Sequence, residues 1–191
     1  MKKLSVIFFL SFVVVSVVSA QDYKKFKVLL APGYALPGGD NATGGVLFTL
    51  EPAYRIKDNL SVGLRMETAV VIAGGLAAAP GASVSASALV SYTLNGQYYF
   101  GKGDSKFRPF AGAGFGMFTV ASATITVVGA VAGIPPVVTP AETKFGFYPR
   151  VGFDLGHFSM SIDYNLVPAT GTVTNNYLGI RLGAFFGGGK K

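Results

Sequence analysis

The chain has 191 residues, of which 50% are hydrophobic and only 13% are charged, and its formal net charge is +7. This profile excludes intrinsic disorder, which requires low hydrophobicity and high charge, and the 26 glycines disfavour a helical protein. The absence of cysteine excludes a disulfide framework, a thiolate metal site and a cysteine nucleophile.

Residues 1–20 are predicted to be a secretory signal peptide. Lys2 and Lys3 precede a short apolar run that ends in small residues at the expected cleavage position. The run from Leu4 to Val18 is shorter than the roughly 20 residues that a membrane-spanning helix needs. We therefore predict an exported protein whose single domain covers residues 21–191.

Beyond the signal peptide, apolar and polar residues alternate with period 2, which is typical of β-strands with two different faces. Eight segments have this pattern, and most of them match or exceed the roughly 9–11 residues that a tilted strand needs to cross a bilayer. In chain order the predicted strands are 24–34, 44–56, 60–72, 84–100, 108–121, 143–155, 158–167 and 176–187.

Long and short connections alternate between these segments. An up-and-down membrane barrel has this arrangement, with short periplasmic turns and longer outside loops. In a soluble β-sandwich, nothing requires long and short loops to alternate along the chain. The long loops are 35–43, 73–83, 122–142 and 168–175, and the shorter turns are 57–59, 101–107 and 156–157. We therefore predict an all-β fold, an eight-stranded antiparallel up-and-down transmembrane β-barrel in the outer membrane.

The barrel interior is predicted to be lined by the polar strand faces, because the apolar faces meet lipid. A turn centred on Asp58 sets Glu51 opposite Arg65. A slip by one residue would turn these charges toward lipid, at about 2–4 kcal/mol for a basic residue near the midplane.

A second set of interior charges is predicted around Asp163. The 156–157 turn sets Arg150 opposite Asp163, and Arg181 flanks the same carboxylate if Leu178 pairs with Leu166. Together with Glu51 and Arg65, these residues are expected to form structural ion pairs in the lumen.

Glycines alternate along the fifth predicted strand. We expect Gly112, Gly114 and Gly116 to face the lumen and leave room for bulky interior side chains. An eight-stranded barrel is just wide enough to be filled by side chains. A large open pore is therefore not expected.

The chain resembles small outer-membrane barrels of the OmpA/OmpX/OmpW-like superfamily. The resemblance rests on the signal peptide, on residues 107–114, on Tyr148-Pro149-Arg150-Val151-Gly152-Phe153 and on the closing strand 177–186. It implies lipid and lipopolysaccharide of the outer membrane as surroundings, and the outer-membrane assembly machinery as a partner. Many such barrels end on an aromatic residue, whereas Phe186 is followed here by five further residues.

Catalysis and cofactor binding are not predicted. His157, the only histidine, forms a His-x-Ser pair with Ser159, as in outer-membrane deacylases, and Asp154 is the nearest acid. Because His157 lies in the tightest predicted turn, we interpret it as a solvated turn residue and keep a lipid-modifying enzyme as an alternative. Dispersed acidic residues predict no metal site, scattered basic residues predict no nucleic-acid partner, and no cofactor is expected.

Two predicted outside loops, 73–83 and 122–142, are almost wholly apolar. One interpretation is that the hairpin around the second loop extends past the membrane and packs on its neighbour. The other is an apolar mouth that binds a hydrophobic small molecule or a surface partner, because exposed apolar patches mark interaction sites. The candidate contact residues are Leu76, Ile125, Val127, Val128, Val131, Ile134 and Val137.

The sequence therefore predicts a non-enzymatic integral barrel with a structural, surface-interaction or adhesive role. Binding or passage of small hydrophobic molecules through the apolar loop mouth is the first alternative.

Overall fold

The computed structural model describes residues 23–38, 42–73, 83–100, 105–126, 137–170 and 174–189. The predicted signal peptide lies outside these residues. Eight antiparallel strands form a closed barrel in which consecutive strands pair and the last strand pairs with the first. The strands are β1 Phe26–Pro37, β2 Ala42–Lys57, β3 Leu60–Ala73, β4 Ser83–Tyr99, β5 Phe107–Thr126, β6 Val137–Leu155, β7 Phe158–Asn165 and β8 Tyr177–Gly187.

The predicted all-β, eight-stranded antiparallel up-and-down barrel is confirmed. Each predicted strand overlaps the observed strand with the same number. The described part of the chain contains no helix long and apolar enough to cross a membrane, a finding that does not bear on crossing by strands.

The wall of the barrel has an apolar outer face and, over most of its height, a polar inner face. In β4 the outward side chains Tyr92 and Leu94 are 57% and 58% exposed, whereas the preceding residue of each, Ser91 and Thr93, is buried. This is the reverse of a soluble protein, in which large apolar side chains turn inward. The alternation therefore arises because one face meets hydrocarbon and the other fills the lumen.

We call the end that holds the β2–β3, β4–β5 and β6–β7 connections the turn end, and the opposite end the loop end. The β2–β3 turn consists of Asp58 and Asn59, and the β6–β7 turn of Gly156 and His157. Gly156 has φ of +61°, which suits glycine in a two-residue hairpin turn.

The predicted loop 122–142 is wrong at both ends. β5 continues to Thr126 and β6 begins at Val137, with Thr124 paired to Val137. The sequence pattern misses this extension because the alternating segment Ser122–Thr126 runs directly into the apolar connection 127–136, where polarity no longer alternates, so the end of the strand is not marked.

The wall is uneven in height. β5 and β6 have 20 and 19 residues, whereas β7 has eight. The β6–β7 ladder runs only from Arg150 to Leu155, and Leu166 then bridges to Phe147. The β5–β6 hairpin therefore rises at the loop end well above the β7 side of the barrel.

Candidate functional site

The interior of the barrel is divided into three layers with different chemistry. The middle layer consists of Glu51, Arg65, Glu67, Arg150, Asp163 and Arg181. The outer layer, toward the loop end, is an apolar cluster that includes Leu47, Val71, Leu89, Phe118, Val120 and Val167. The turn-end layer consists of Tyr23, Lys27, Arg55, Tyr99, Arg108 and Asp154.

Glu51 and Arg65 lie opposite each other on adjacent strands, as the flanking pairs Leu50–Met66 and Ala53–Gly63 show. Their charges, however, pair across the lumen and not with each other. Glu51 Oε2 accepts a hydrogen bond of 2.7 Å from Arg150 Nη1. These cross-lumen contacts connect distant parts of the wall.

Arg65 reaches the far side of the barrel, to β7. Its Nη1 lies 3.4 Å from Asp163 Oδ1, and its Nη2 donates to Asn165 Oδ1 at 2.7 Å. The guanidinium also lies over the ring of Tyr148, 3.7 Å from the ring centroid, as in a cation–π contact. Arg65 is fully buried, so its charge depends on these partners.

Arg150 and Asp163 are directly paired in the β6–β7 ladder, with Arg150 Nε 3.5 Å from Asp163 Oδ2. The expected pairing of Leu178 with Leu166 is wrong, because Leu178 pairs with Tyr164. Leu166 is instead hydrogen-bonded to Phe147 of β6, and the β7–β8 ladder ends at the Asn165–Tyr177 pair. Register therefore sets Ser161, and not Asp163, opposite Arg181.

Arg181 nevertheless contacts Asp163 through its Nη1, because its long side chain reaches the residue diagonally across from it on β7. Its Nε donates to Glu67 Oε2 at 2.8 Å, and its Nη2 donates to the same oxygen. Arg181 is thus held by two carboxylates from opposite parts of the wall.

Glu67 is the central acceptor of the middle layer, and the sequence analysis did not single it out. It accepts hydrogen bonds from Thr49 Oγ1 at 2.8 Å and from the Tyr177 hydroxyl at 2.6 Å, in addition to those from Arg181. Its position two residues after Arg65, on the same strand face, was the available signal. That spacing places a residue on the inner face but does not identify its partner.

The middle layer is neutral overall, with three carboxylates and three guanidinium groups. None of the six residues is more than 3% exposed. Removing one member of a buried ion pair lowers the free energy of unfolding by about 3–5 kcal/mol, because the remaining charge is left without compensation. The side chains come from β2, β3, β6, β7 and β8, so together they fill the cross-section of the lumen.

The prediction of a charged interior is wrong for the outer layer. It holds only for the middle and turn-end layers. Toward the loop end a cluster of inward residues is apolar, and Phe118 and Ala69 within it are fully buried. The middle and outer layers therefore close the lumen by different means, one ionic and one apolar.

The interior glycines make room for aromatic side chains. Gly114 faces inward, and a Cβ placed on it would lie 2.3 Å from the ring of Tyr148. Gly112 and Gly116 lie at alternate positions of the same inward face, where a Cβ would meet the backbone of β4. Tyr148 can therefore lie across the lumen and stack on Arg65.

The turn-end layer centres on Lys27, whose Nζ lies 2.6 Å from Asp154 Oδ2 and donates to the Tyr99 hydroxyl at 3.3 Å. The guanidinium groups of Arg55 and Arg108 lie between the rings of Tyr23 and Tyr99. This layer carries an excess of positive charge.

The predicted apolar loop contacts are largely outside the described part of the chain. Leu76, Val127, Val128, Val131 and Ile134 lie outside the described residues. The backbones of Ile125 and Val137 belong to β5 and β6, where Ile125 pairs with Val84. The apolar mouth therefore stays a prediction.

At the loop end, the segment after β7 lies against the side of β6. Lys144 donates from Nζ to the Ala169 carbonyl and lies 3.0 Å from Glu142. The Lys144 ammonium, by hydrogen bond and charge, lowers the pKa of the exposed Glu142 carboxyl below its usual value. A cleft of about 340 Å³ opens here on the outer face, lined mainly by Phe145, Phe147, Leu166 and Pro168.

His157 lies exposed in the β6–β7 turn, and its Nδ1 donates to the Phe185 carbonyl at 2.9 Å. Ser159 is buried, whereas Asp154 is bound to Lys27. These contacts do not assemble a nucleophile, base and acid. Within the described residues, no three His, Asp or Glu side chains form a group suited to a metal ion.

No protein-family model and no curated protein matches the sequence. Solved structures do match it. Neisserial surface protein A is 17% identical, with 85% of this chain and 96% of that chain covered and a TM-score of 0.53. Ail, the attachment invasion locus protein of Yersinia pestis, is 11% identical, with 85% and 99% covered and a TM-score of 0.51.

This chain has the fold of small outer-membrane barrels. At 17% and 11% identity, the likeness extends to the eight-stranded architecture and not to an activity.

Proposed function

We propose that this protein is a non-enzymatic integral barrel of the outer membrane that acts as a closed scaffold for contacts at the cell surface. The observation that carries the proposal is the filled lumen, in which the middle layer joins opposite walls through buried ion pairs. A barrel filled in this way is a poor pore, so its function is expected at its ends or its outer face.

The uneven wall supports a surface role. The β5–β6 hairpin rises above the β7 side, and the connecting sequence 127–136, which lies outside the described residues, is apolar. An apolar connection of this kind, if it is exposed outside the membrane, favours contact with a partner. One of the similar structures is named an attachment invasion locus protein, so attachment is the first role to test.

The test replaces residues 127–136 with Asn-Gly, a dipeptide that closes hairpins. Cells that display the variant should lose adhesion to immobilised extracellular-matrix proteins, while the barrel keeps its folded mobility on unheated gels. A matched variant with residues 171–173 replaced by glycine and serine controls for general loop damage. Unchanged adhesion of the 127–136 variant would remove the surface role of the hairpin.

A second candidate function is the binding of a small hydrophobic molecule at the wall. The cleft beside Phe145 and Phe147 favours it, because it adjoins Val167 of the outer layer. A fluorescent apolar probe, N-phenyl-1-naphthylamine, should bind the wild type more tightly than Phe147→Ser. An equal loss of binding in Phe48→Ser, an outward residue of β2 that does not line the cleft, would attribute the effect to general loss of apolar surface.

Catalysis is tested directly with His157→Ala. We expect no change in lipid A acylation between membranes that hold the wild type and those that hold the variant, because His157 is committed to a backbone carbonyl of β8. A histidine-dependent change in acylation would overturn the non-enzymatic assignment.

A further inference from the structure

The turn end of the barrel holds a cavity of about 280 Å³ that none of the roles above uses. Its lining includes Tyr23, Arg55, Lys106, Arg108, Asp154 and His157. The cavity belongs to the turn-end layer and is separate from the ion pairs of the middle layer.

Two buried guanidinium groups face this cavity. Arg108 lies 3.9 Å from the ring centroid of Tyr23 and 4.5 Å from that of Tyr99, and Arg55 lies 4.7 Å and 5.4 Å from the same two centroids. The stacking fixes both side chains in position. Two like charges therefore share a small space, an arrangement that favours an anion between or beside them.

The hydrogen-bonding capacity of these groups is only partly used. Arg55 Nη1 donates to the Gly188 carbonyl at 2.9 Å, and Arg108 Nη2 donates to the Asp58 carbonyl. Arg55 is 3% exposed, yet its Nε has no hydrogen-bond partner among the described residues. A buried charged donor without an acceptor is costly, so a ligand oxygen at this position would stabilise it.

Asp154 is the one acid that lines the cavity in the described part of the chain. Its Oδ2 is bound to Lys27 at 2.6 Å, so its charge is compensated by a cation outside the cavity lining. With Lys106 exposed at the rim, the cavity keeps an excess of positive charge. Asp154 Oδ1 has no partner in the described residues and can accept a hydrogen bond from a protonated ligand oxygen.

We propose that this cavity binds a phosphate group, carried either by a soluble phosphorylated molecule or by a lipid headgroup. Guanidinium groups present paired donors that match phosphate oxygens, and burial strengthens the contact. A phosphate monoanion also has a hydroxyl that would donate a hydrogen bond to Asp154 Oδ1. The proposal is independent of the surface role proposed above, because it concerns the opposite end of the barrel.

The test is calorimetric titration of the folded full-length barrel in a zwitterionic detergent with glycerol 3-phosphate, at constant ionic strength. We expect saturable binding that weakens at least tenfold in Arg55→Gln. The matched control is Lys57→Gln, which removes the same charge from the same strand at an exposed position outside the cavity. The control should change the affinity less than twofold.

Two results would overturn the proposal. One is the absence of saturable binding by the wild type, and the other is an equal loss of affinity in Arg55→Gln and Lys57→Gln, which would mean general electrostatic attraction. If Arg55→Gln does not fold, Lys106→Gln replaces it, because this exposed cation also lines the cavity. It should weaken binding at least threefold, and an unchanged affinity would again reject the site.

The source of the phosphate is distinguished in nanodiscs. If a phosphomonoester lipid headgroup occupies the cavity, nanodiscs that contain phosphatidic acid should abolish glycerol 3-phosphate binding, whereas pure phosphatidylcholine, whose phosphodiester has no hydroxyl, should preserve it. Binding preserved in both membranes identifies a soluble ligand, and either result supports the phosphate site.

Discussion

Single side chains of the middle layer hold several strands at once. Glu67 receives hydrogen bonds from Thr49, Tyr177 and Arg181, which belong to β2 and β8, while Glu67 itself lies in β3. Its removal would leave the Arg181 guanidinium with a single carboxylate, that of Asp163. The stability of the barrel should therefore depend strongly on this one residue.

We predict that Glu67→Ala lowers the free energy of unfolding by about 3–5 kcal/mol, the usual result of leaving a buried charge uncompensated. Urea titration of the barrel in lipid vesicles, followed by gel mobility, measures the change. Glu142→Ala is the matched control, since this carboxylate is exposed. It should change stability by no more than about 0.5 kcal/mol, and a similar effect of both variants would contradict the central role of Glu67.

Glycine is required at one interior position for steric reasons. We predict that Gly114→Ala destabilises the barrel by about 1–3 kcal/mol, because the added methyl would overlap the Tyr148 ring. Gly96→Ala should be neutral, since a Cβ there has no neighbour within 4 Å. Thermal loss of the folded gel band compares the two, and equal midpoints would refute the steric explanation.

The sequence predicts which residues face inward better than it predicts what they contact. Inward position follows from alternation, which is why Glu51, Arg65, Arg150, Asp163 and Arg181 are all buried. Their partners depend on how far each side chain reaches across a closed lumen, which local pattern does not contain. The Glu51–Arg150 and Arg65–Asp163 pairs therefore could not be read from strand register alone.

At the scale of the strands, the alternation of polar and apolar residues locates every strand, but it does not locate a strand end that runs into an apolar loop. β3 and β4 are predicted to within one residue because their polar faces are distinct. The loop-end termini of β5 and β6 are missed because their sequences run without a break into the apolar connection 127–136, where polarity no longer alternates. The register of β8 is predicted wrongly because Leu166 pairs with β6 and not with β8. That pairing is a tertiary contact, which local sequence pattern does not contain.

The lipid-facing side of the strands should tolerate charge only near its ends. We predict that Leu94→Arg, on the outer face of β4, costs about 2–4 kcal/mol, as for a basic residue near the bilayer midplane. Phe107→Arg, at the start of β5 at the turn end, should cost about 0–1 kcal/mol. Folding titrations in vesicles measure both, and equal costs would mean that the apolar belt has been located wrongly.

At the scale of the whole molecule, two successive layers of side chains close the lumen. The middle layer blocks it with paired charges, and the outer layer blocks it with apolar side chains that water wets poorly. Opening one layer should therefore not open the barrel.

We predict that the wild type gives no steady ion current in planar bilayers, and that the charge-balanced double variant Glu67→Ala/Arg181→Ala is also silent because the outer layer still seals it. Single-channel recording tests both proteins, with a known porin as the positive control for insertion. A steady current through the double variant would show that the apolar layer does not act as a seal.

The short seventh strand has a consequence for the surrounding bilayer. With eight residues, β7 falls below the roughly 9–11 that match the thickness of the hydrocarbon layer, whereas β5 and β6 exceed it. We expect lipid beside β7 to thin to match the shorter wall, at a cost of fractions of a kcal/mol per Å of mismatch. We therefore expect the barrel to thin the bilayer mainly along β7, where neighbouring proteins that prefer a thinner bilayer should gather.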